Sequence, residues 1–296
     1  MKNKPFEASE LFLSLEGESI ETGRATVYFR TTKCNFECRG FNNPSCSDTT
    51  SHSVLKFNPN DYQKLSEMPP ISVGCDSQYS WNPEFSHTWT SYTAEELAVA
   101  LTDLCPHKSW IHPITKMPVI LSITGGEPML RQKQLPDLLF HPLMKDCKHV
   151  LIETNASVPM RSDFLVSVRE WLKADPERKW TWACSPKLSA SGEPRHKAVR
   201  PDVVKLMELD GVRCNRYFKF VCGPNSEHFD EVQSVLDEYR SAGCVIPPET
   251  IEIMPEACTG QQQRDIAVQV ADMCMERGFK FCFRLQNSLY ENAIGK

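Results

Sequence analysis

ATVYFRTTKCNFEC, residues 25–38, is a β-branched and aromatic run that breaks into a loop carrying two cysteines separated by three residues. The run reads as a buried strand. A reactive pair placed directly on the carboxyl end of a strand is the layout of α/β folds, whose chemistry gathers at that edge. The rest of the chain repeats the theme. PVILSIT (118–124), HVLIET (149–154), TWACS (181–185), VVKLM (203–207), YFKFVC (217–222), IEIM (251–254) and KFCFRL (280–285) read as further strands. Helical patterns lie between several of them. TAEELAVALTDL opens with Thr93 and Glu96 as a capping box and places Leu97, Leu101 and Leu104 on one face. EHFDEVQSVLDEY and QRDIAVQVADMCMERG repeat the apolar spacing, the second stopped by Gly278. Strand then helix, repeated, implies a mainly parallel sheet with crossover helices and one core.

Cys34, the Gly125-Gly126 pair, Asn155 and Ser185 each follow directly on an expected strand, so all four should crowd one rim. Residues 39–92 break the alternation with a polar stretch rich in Ser, Asn and Pro. Residues 39–74 read as an insertion in a loop of that rim, since long loops of this kind are functional or disordered.

With 296 residues and 41% apolar content, the chain can build an ordinary soluble core. No apolar run approaches the roughly 20 residues of a spanning helix, and the opening MKNKPFEASELF lacks a signal peptide's apolar stretch. The expectation is a cytoplasmic protein with no membrane contact. Thirteen cysteines is an odd number, so complete pairing within one chain is impossible. Cys147, Cys184, Cys214, Cys222, Cys244, Cys274 and Cys282 read as small buried hydrophobes. A net charge of -5 leaves no basic stripe for phosphates, which favours a small substrate over nucleic acid.

A C-x3-C loop can bind zinc, act as a redox pair or hold part of an iron-sulfur cluster. Cys46 and His52 could complete a zinc set with Cys34 and Cys38. Three cysteines on a cluster would instead leave one iron open to a small molecule.

ITGGEPML (123–130) resembles the glycine-rich motif of radical S-adenosylmethionine enzymes, in which paired glycines let the backbone approach the cofactor's methionine moiety. Within that superfamily the chain is similar to the 7-carboxy-7-deazaguanine synthase family. FLSLEGESIETGRATVYFRTTKCN (12–35), IETNAS (152–157), SPKL (185–188) and YFKFVCGP (217–224) resemble successive stations of that family, and the likeness runs from about residue 8 to 286. GCDSQYSW (74–81) matches the segment around the third cluster ligand, where the cysteine is followed by Asp and then Thr or Ser.

The resemblance implies an α/β fold, a partial (β/α) barrel of the radical S-adenosylmethionine type, as one domain over residues 1–296 with the 39–74 insertion between the second and third cluster cysteines. It implies that Cys34, Cys38 and Cys75 hold a [4Fe-4S] cluster. Gly74, Asp76, Gly126, Glu127, Ser185, Pro186, Lys187, Met254 and Pro255 would cradle S-adenosylmethionine, and Ser77 would hold Mg2+. Arg30 would pair with a substrate carboxylate, while Leu15, Glu16, Gly17, Glu18 and Thr124 would meet a pterin edge. Glu16 stands where the family usually has Gln. The implied reaction contracts 6-carboxy-5,6,7,8-tetrahydropterin to 7-carboxy-7-deazaguanine with loss of ammonia, using an external electron donor and, by family habit, a homodimer. A glycyl-radical activase would share the cysteines and GGEP but not Arg30 or the Glu-Gly-Glu opening. A non-enzymatic zinc protein is the other alternative. The carboxyl-terminal RLQNSLYENAIGK is assigned nothing.

Overall fold

The computed structural model describes residues 5–43, 55–209, 214–291 and 293–295; Cys46 and His52, the candidate zinc ligands, lie outside them. Among the described residues, nine strands form one open sheet: β1 Phe6–Leu15, β2 Ala25–Thr31, β3 Thr90–Tyr92, β4 Ile120–Gly125, β5 His149–Thr154, β6 Lys179–Cys184, β7 Cys214–Cys222, β8 Ile251–Pro255 and β9 Lys280–Phe281. The spatial order is β3-β1-β2-β4-β5-β6-β7-β8-β9. From β2 to β9 every pairing is parallel, while β1 runs antiparallel to both β2 and β3. The sheet does not close, so the architecture is the expected mainly parallel partial barrel.

Side-chain alternation explains how this sheet makes a site. Val27, Phe29, Leu121, Ile123, Val150, Ile152, Trp180, Trp182, Phe218, Phe220, Ile251 and Ile253 share one face and pack beneath helices 94–104, 162–173, 226–241 and 260–277 in the main core. The residues between them point the other way. On that concave face Ile120, Leu151, Ala183 and Tyr217 form a small apolar plug. Tyr28, Arg30, Thr124, Glu153, Lys219 and Met254 stand around a cavity toward the strands' carboxyl ends. Both faces are buried, as parallel sheets require, but only the helix-covered one is mainly apolar.

Register levels the functional edge. Arg30 lies opposite Thr124, Thr31 opposite Gly125, Thr154 opposite Cys184, and Cys222 opposite Pro255. The loops leaving these strands therefore emerge at one rim.

Three local expectations need correction. VVKLM is not a strand: Pro201–Leu206 is a helix with Pro201 in its first turn. Pro fits that position because its missing N–H would have no intrahelical partner, and Val203, Val204 and Met207 are buried at helical spacing. KFCFRL is strand only over Lys280–Phe281, and a helix begins at Leu285. β1 and β3 were not anticipated at all. The capping box does form, Thr93 accepting from the Glu96 amide and Glu96 from the Thr93 amide. Gly278 ends its helix in the left-handed region at φ 74°.

The described part of the 39–74 stretch is not featureless. Leu65, Met68 and Ile71 bury together with Tyr79 and Phe85, and Leu55, Phe57, Tyr62 and Ile294 pack on them. This second small core stands beside the cavity, and Ile294 belongs to both.

Candidate active site

A cavity of about 210 Å3 opens at the rim. At one end sits the cysteine loop. Cys34, Cys38 and Cys75 cluster with Phe36, Phe41 and Ala198, so the structure brings together two cysteines from the loop after β2 and one far along the chain. Burial pushes all three thiols up, Cys34 to about 12. The loop is clamped on several sides. The Lys33 amide donates to Ser80 O at 2.8 Å, and the Glu37 and Cys38 amides both donate to Glu193 Oε1 at 2.8 Å. Asn35 is tied to Asn155 and Ser157 on the loop after β5. Cys38 itself adopts φ 50°, so the clamps hold a strained backbone.

The glycine turn packs against this loop. A Cβ on Gly126 would lie 2.0 Å from Lys33 O, and one on Gly125, at φ 112°, would lie 2.2 Å from Thr31 O. The Gly126 and Glu127 amides donate to Thr31 O and Lys33 O at 3.1 and 2.9 Å. Sequence reading assigns the paired glycines to close approach of a ligand; in the structure they first allow close approach of the cysteine loop.

The other end is densely charged. Lys219, from the middle of β7, reaches Glu18, and Glu153 Oε2 stands 3.7 Å from it. Arg284 bridges Asp76 at 2.7 Å and Glu18 at 3.2 Å, and also donates to Ala257 O. Burial alone would raise Glu18's carboxyl, yet Lys219 and Arg284 hold it down to about 2. Arg30 lies over the rings of Phe12 and Tyr79, 5.7 and 5.4 Å from their centroids. Its Nε is 3.1 Å from Glu10 Oε2, an ion pair by distance whose N–H is not aligned on the oxygen. Its Nη1 donates to Ser77 Oγ at 3.4 Å, and Ser77 in turn donates to Asp76 Oδ1.

Of the residues singled out by sequence, Cys34, Cys38, Gly74, Cys75, Asp76, Ser77, Gly126, Ser185, Lys187, Met254, Leu15, Glu16, Glu18, Arg30 and Thr124 line the cavity. Gly17, Glu127, Pro186 and Pro255 do not. Glu127 is fully buried behind the wall, where its carboxylate accepts from Met129 N, Thr154 Oγ1 and Asn155 N. Gly17 meets the carboxyl-terminal helix: its carbonyl accepts from the Leu285 amide, and a Cβ would collide with Gln286. Lys219, Glu153, Tyr79, Arg284 and Gln286 are lining residues that sequence reasoning missed. A lysine in the centre of YFKFVC was a usable signal, because an ammonium on a buried strand needs a partner.

Each thiolate of a cubane cluster holds a different iron. Three thiols that border one cavity could each supply a ligand to such a cluster. Among the described residues, no three His, Cys, Asp or Glu side chains converge on one ion position.

No known family's profile matches the chain. Individual relatives do. A protein of Halobacterium salinarum named 7-carboxy-7-deazaguanine synthase is 26% identical over 298 residues, covering 96% of this chain and 90% of the relative. Proteins of the same name from Rhodopirellula baltica and Methanothermobacter thermautotrophicus are 23% and 22% identical, covering 97% and 86% of this chain and 87% and 83% of their own. This chain is a relative of the 7-carboxy-7-deazaguanine synthases. The likeness to those synthases spans nearly the whole length of each, so it is not the sharing of one motif. The fold agrees: the crystal structure of QueE from Escherichia coli superposes with a TM-score of 0.54 at 16% identity, covering 95% of this chain and 94% of that one. Among the described residues, no helix is long and apolar enough to cross a membrane.

Proposed function

We propose that this chain is a radical S-adenosylmethionine lyase that contracts 6-carboxy-5,6,7,8-tetrahydropterin to 7-carboxy-7-deazaguanine with loss of ammonia, a step toward queuosine or a related 7-deazapurine. One observation carries the reading: Cys34, Cys38 and Cys75 gather at a cavity whose wall also presents Arg30 and the buried carboxylates Glu16 and Glu18. The domain spans residues 1–296, with 39–74 as the insertion that carries the third cysteine to the other two. The enzyme is cytoplasmic, draws electrons from an external donor and acts as a homodimer.

In this reading Cys34, Cys38 and Cys75 hold the [4Fe-4S] cluster. Gly74, Asp76, Gly126, Ser185, Lys187 and Met254 border the space for S-adenosylmethionine, while Glu127, Pro186 and Pro255 support that wall from behind. With both groups bound, the chemistry supplied is one-electron cleavage of the sulfonium to a carbon radical that takes a hydrogen atom from the substrate. The chain's own residues bind, orient and exclude water. Arg30 offers a planar fork to the substrate carboxylate, and Phe12 and Tyr79 fix its plane. Ser77, within reach of Arg30 and Asp76, supplies an oxygen to Mg2+, a hard ion that prefers oxygen ligands. Leu15, Glu16, Gly17, Glu18 and Thr124 meet the pterin edge. These residues would orient the substrate, and a displacement of about 1 Å in such a site can cost roughly a hundredfold in rate.

The test is anaerobic reconstitution followed by mass analysis of turnover with the carboxypterin. A product lighter by ammonia is expected. Cleavage of S-adenosylmethionine with no change in the pterin would overturn the substrate assignment.

A further inference from the structure

The cavity wall around the β1–β2 turn carries more acid than its neighbouring bases pair. Glu18 takes both Lys219 and Arg284. Glu153 accepts from Ser122 Oγ at 3.1 Å and shares Lys219 at 3.7 Å. Arg284's remaining side-chain contacts go to Asp76, the Met254 thioether and backbone. Glu16 is different. It is only 3% exposed, lines the cavity, and makes no ion pair among the described residues. Its side-chain contact is the Tyr28 hydroxyl, 3.3 Å from Oε2, which also lies 3.3 Å from Leu15 O. The charged groups facing it are Glu153 from β5, Glu18 from its own turn and Lys219 from β7, with the phenols of Tyr28 and Tyr217 alongside.

A buried carboxylate beside two others, with the nearby Lys219 ammonium already engaged by Glu18, is costly to ionise. We propose that Glu16 sits in the cavity wall as a neutral carboxylic acid and reads the bound substrate through a paired donor and acceptor, not as an anion. The inference rests on the pterin reading of this cavity. An ionised carboxylate only accepts, so it would select two adjacent N–H groups on a ligand. A neutral acid presents an O–H donor beside a C=O acceptor. That pair complements a heterocycle edge with a carbonyl or ring nitrogen next to an N–H, and a pyrimidinone ring has such edges on both sides of its amidine face. Burial and the charges of Glu153 and Glu18, only partly offset by Lys219, push the Glu16 carboxyl well above its ordinary range, which agrees with the geometry. Tyr28's single hydroxyl hydrogen has two acceptors at 3.3 Å, Leu15 O and Glu16 Oε2, so it does not by itself hold Glu16 ionised.

The test pairs a spectroscopic readout with kinetics on the reconstituted enzyme. An infrared difference spectrum between the wild type and Glu16→Gln, without substrate, should show a carboxylic-acid carbonyl band at neutral pH that is lost in the variant. With the carboxypterin, Glu16→Ala should raise KM about tenfold to a hundredfold, the usual cost of leaving a buried polar edge unpaired. The spectrum of the externally reduced cluster in the presence of S-adenosylmethionine should be unaltered in it. Glu16→Gln should recover most of that loss, because the amide keeps a donor beside an acceptor, and should lack the wild type's rise in KM as the acid ionises at alkaline pH. A carboxylate signature at neutral pH, or Glu16→Gln as impaired as Glu16→Ala, would overturn the proposal. The acid band with no turnover of the pterin by any form would uphold the neutral acid and overturn only the substrate.

Discussion

Replacing Lys219 by methionine keeps the aliphatic stem on β7 and removes its ammonium. The side chain is 5% exposed and its partner Glu18 is 9% exposed, so the pair is well shielded from water. Removing one member of a buried pair costs about 3–5 kcal/mol, because the other charge is left uncompensated. Glu18 would keep Arg284 at 3.2 Å and Gln286 at 3.1 Å. Glu153, however, would lose its nearby cation. The expectation is therefore a loss of about 3 kcal/mol at neutral pH, the lower end of that range, against a total stability that is typically about 5–15 kcal/mol. The pH dependence has a definite sign. Glu18's folded carboxyl is depressed to about 2, so its pairing contributes stability above the unfolded value of about 4.3 and loses it as pH falls toward 2. The gap between wild type and Lys219→Met should be widest at neutral pH and narrow through that window. Urea unfolding followed by tryptophan fluorescence measures it. The double variant Lys219→Met/Glu18→Gln should recover part of the loss, since the stranded charge is gone. A single-variant loss below about 1 kcal/mol, or a double variant no better than the single, would refute the view that these charges are mutually compensating.

Three further perturbations probe other parts of the structure. His149 accepts from Arg24 at Nδ1, 3.1 Å, and so must donate from Nε2 to Thr181 Oγ1 at 2.9 Å, which requires the neutral ring. Burial, opposed by Glu21 and reinforced by Arg24, holds it down to about 4; stability should fall as pH drops from about 6.5 to 4, by on the order of 3 kcal/mol, and His149→Gln should flatten that slope in unfolding measurements. Glu193→Ala deletes the acceptor shared by the Glu37 and Cys38 amides; hydrogen exchange at those two amides should accelerate by about tenfold or more, as expected for losing a charged hydrogen bond, and unchanged exchange would remove Glu193 as the clamp. Gly126→Ala places a Cβ against backbone at Lys33, so the cysteine loop must shift; a stability loss of about 1–3 kcal/mol together with lower iron uptake on reconstitution is expected.

The parallel sheet was legible because its strands are short apolar runs ended by distinctive loops, and because Thr93, Glu96 and Gly278 are unambiguous punctuation. β1 was not, since FEASELFLSL mixes glutamates into the run. Those acids turn out to be functional in the fold: Glu10 faces Arg30 across the β1–β2 ladder. VVKLM misled because consecutive valines favour strands locally, while Pro201 and the buried faces of Val203 and Val204 decide for helix. The cysteine end of the cavity could be read from motif strings, whose chemistry is local. The charged end could not, because Glu18, Lys219, Arg284 and Asp76 meet only in space, from four separate parts of the chain. Arg284 and Gln286 lie in a segment with no strong period, and only tertiary contact gives them a role.

The central claim is that Cys34, Cys38 and Cys75 together hold a cubane cluster despite the long insertion between the second and third. The most direct measurement is iron and sulfide content after anaerobic reconstitution, compared between the wild type and single alanine variants of Cys34, Cys38, Cys75 and Cys46. The account predicts about four iron and four sulfide per chain in the wild type and in Cys46→Ala, with loss of the cluster in each of the other three. A cluster that survives Cys75→Ala and is abolished by Cys46→Ala would contradict it.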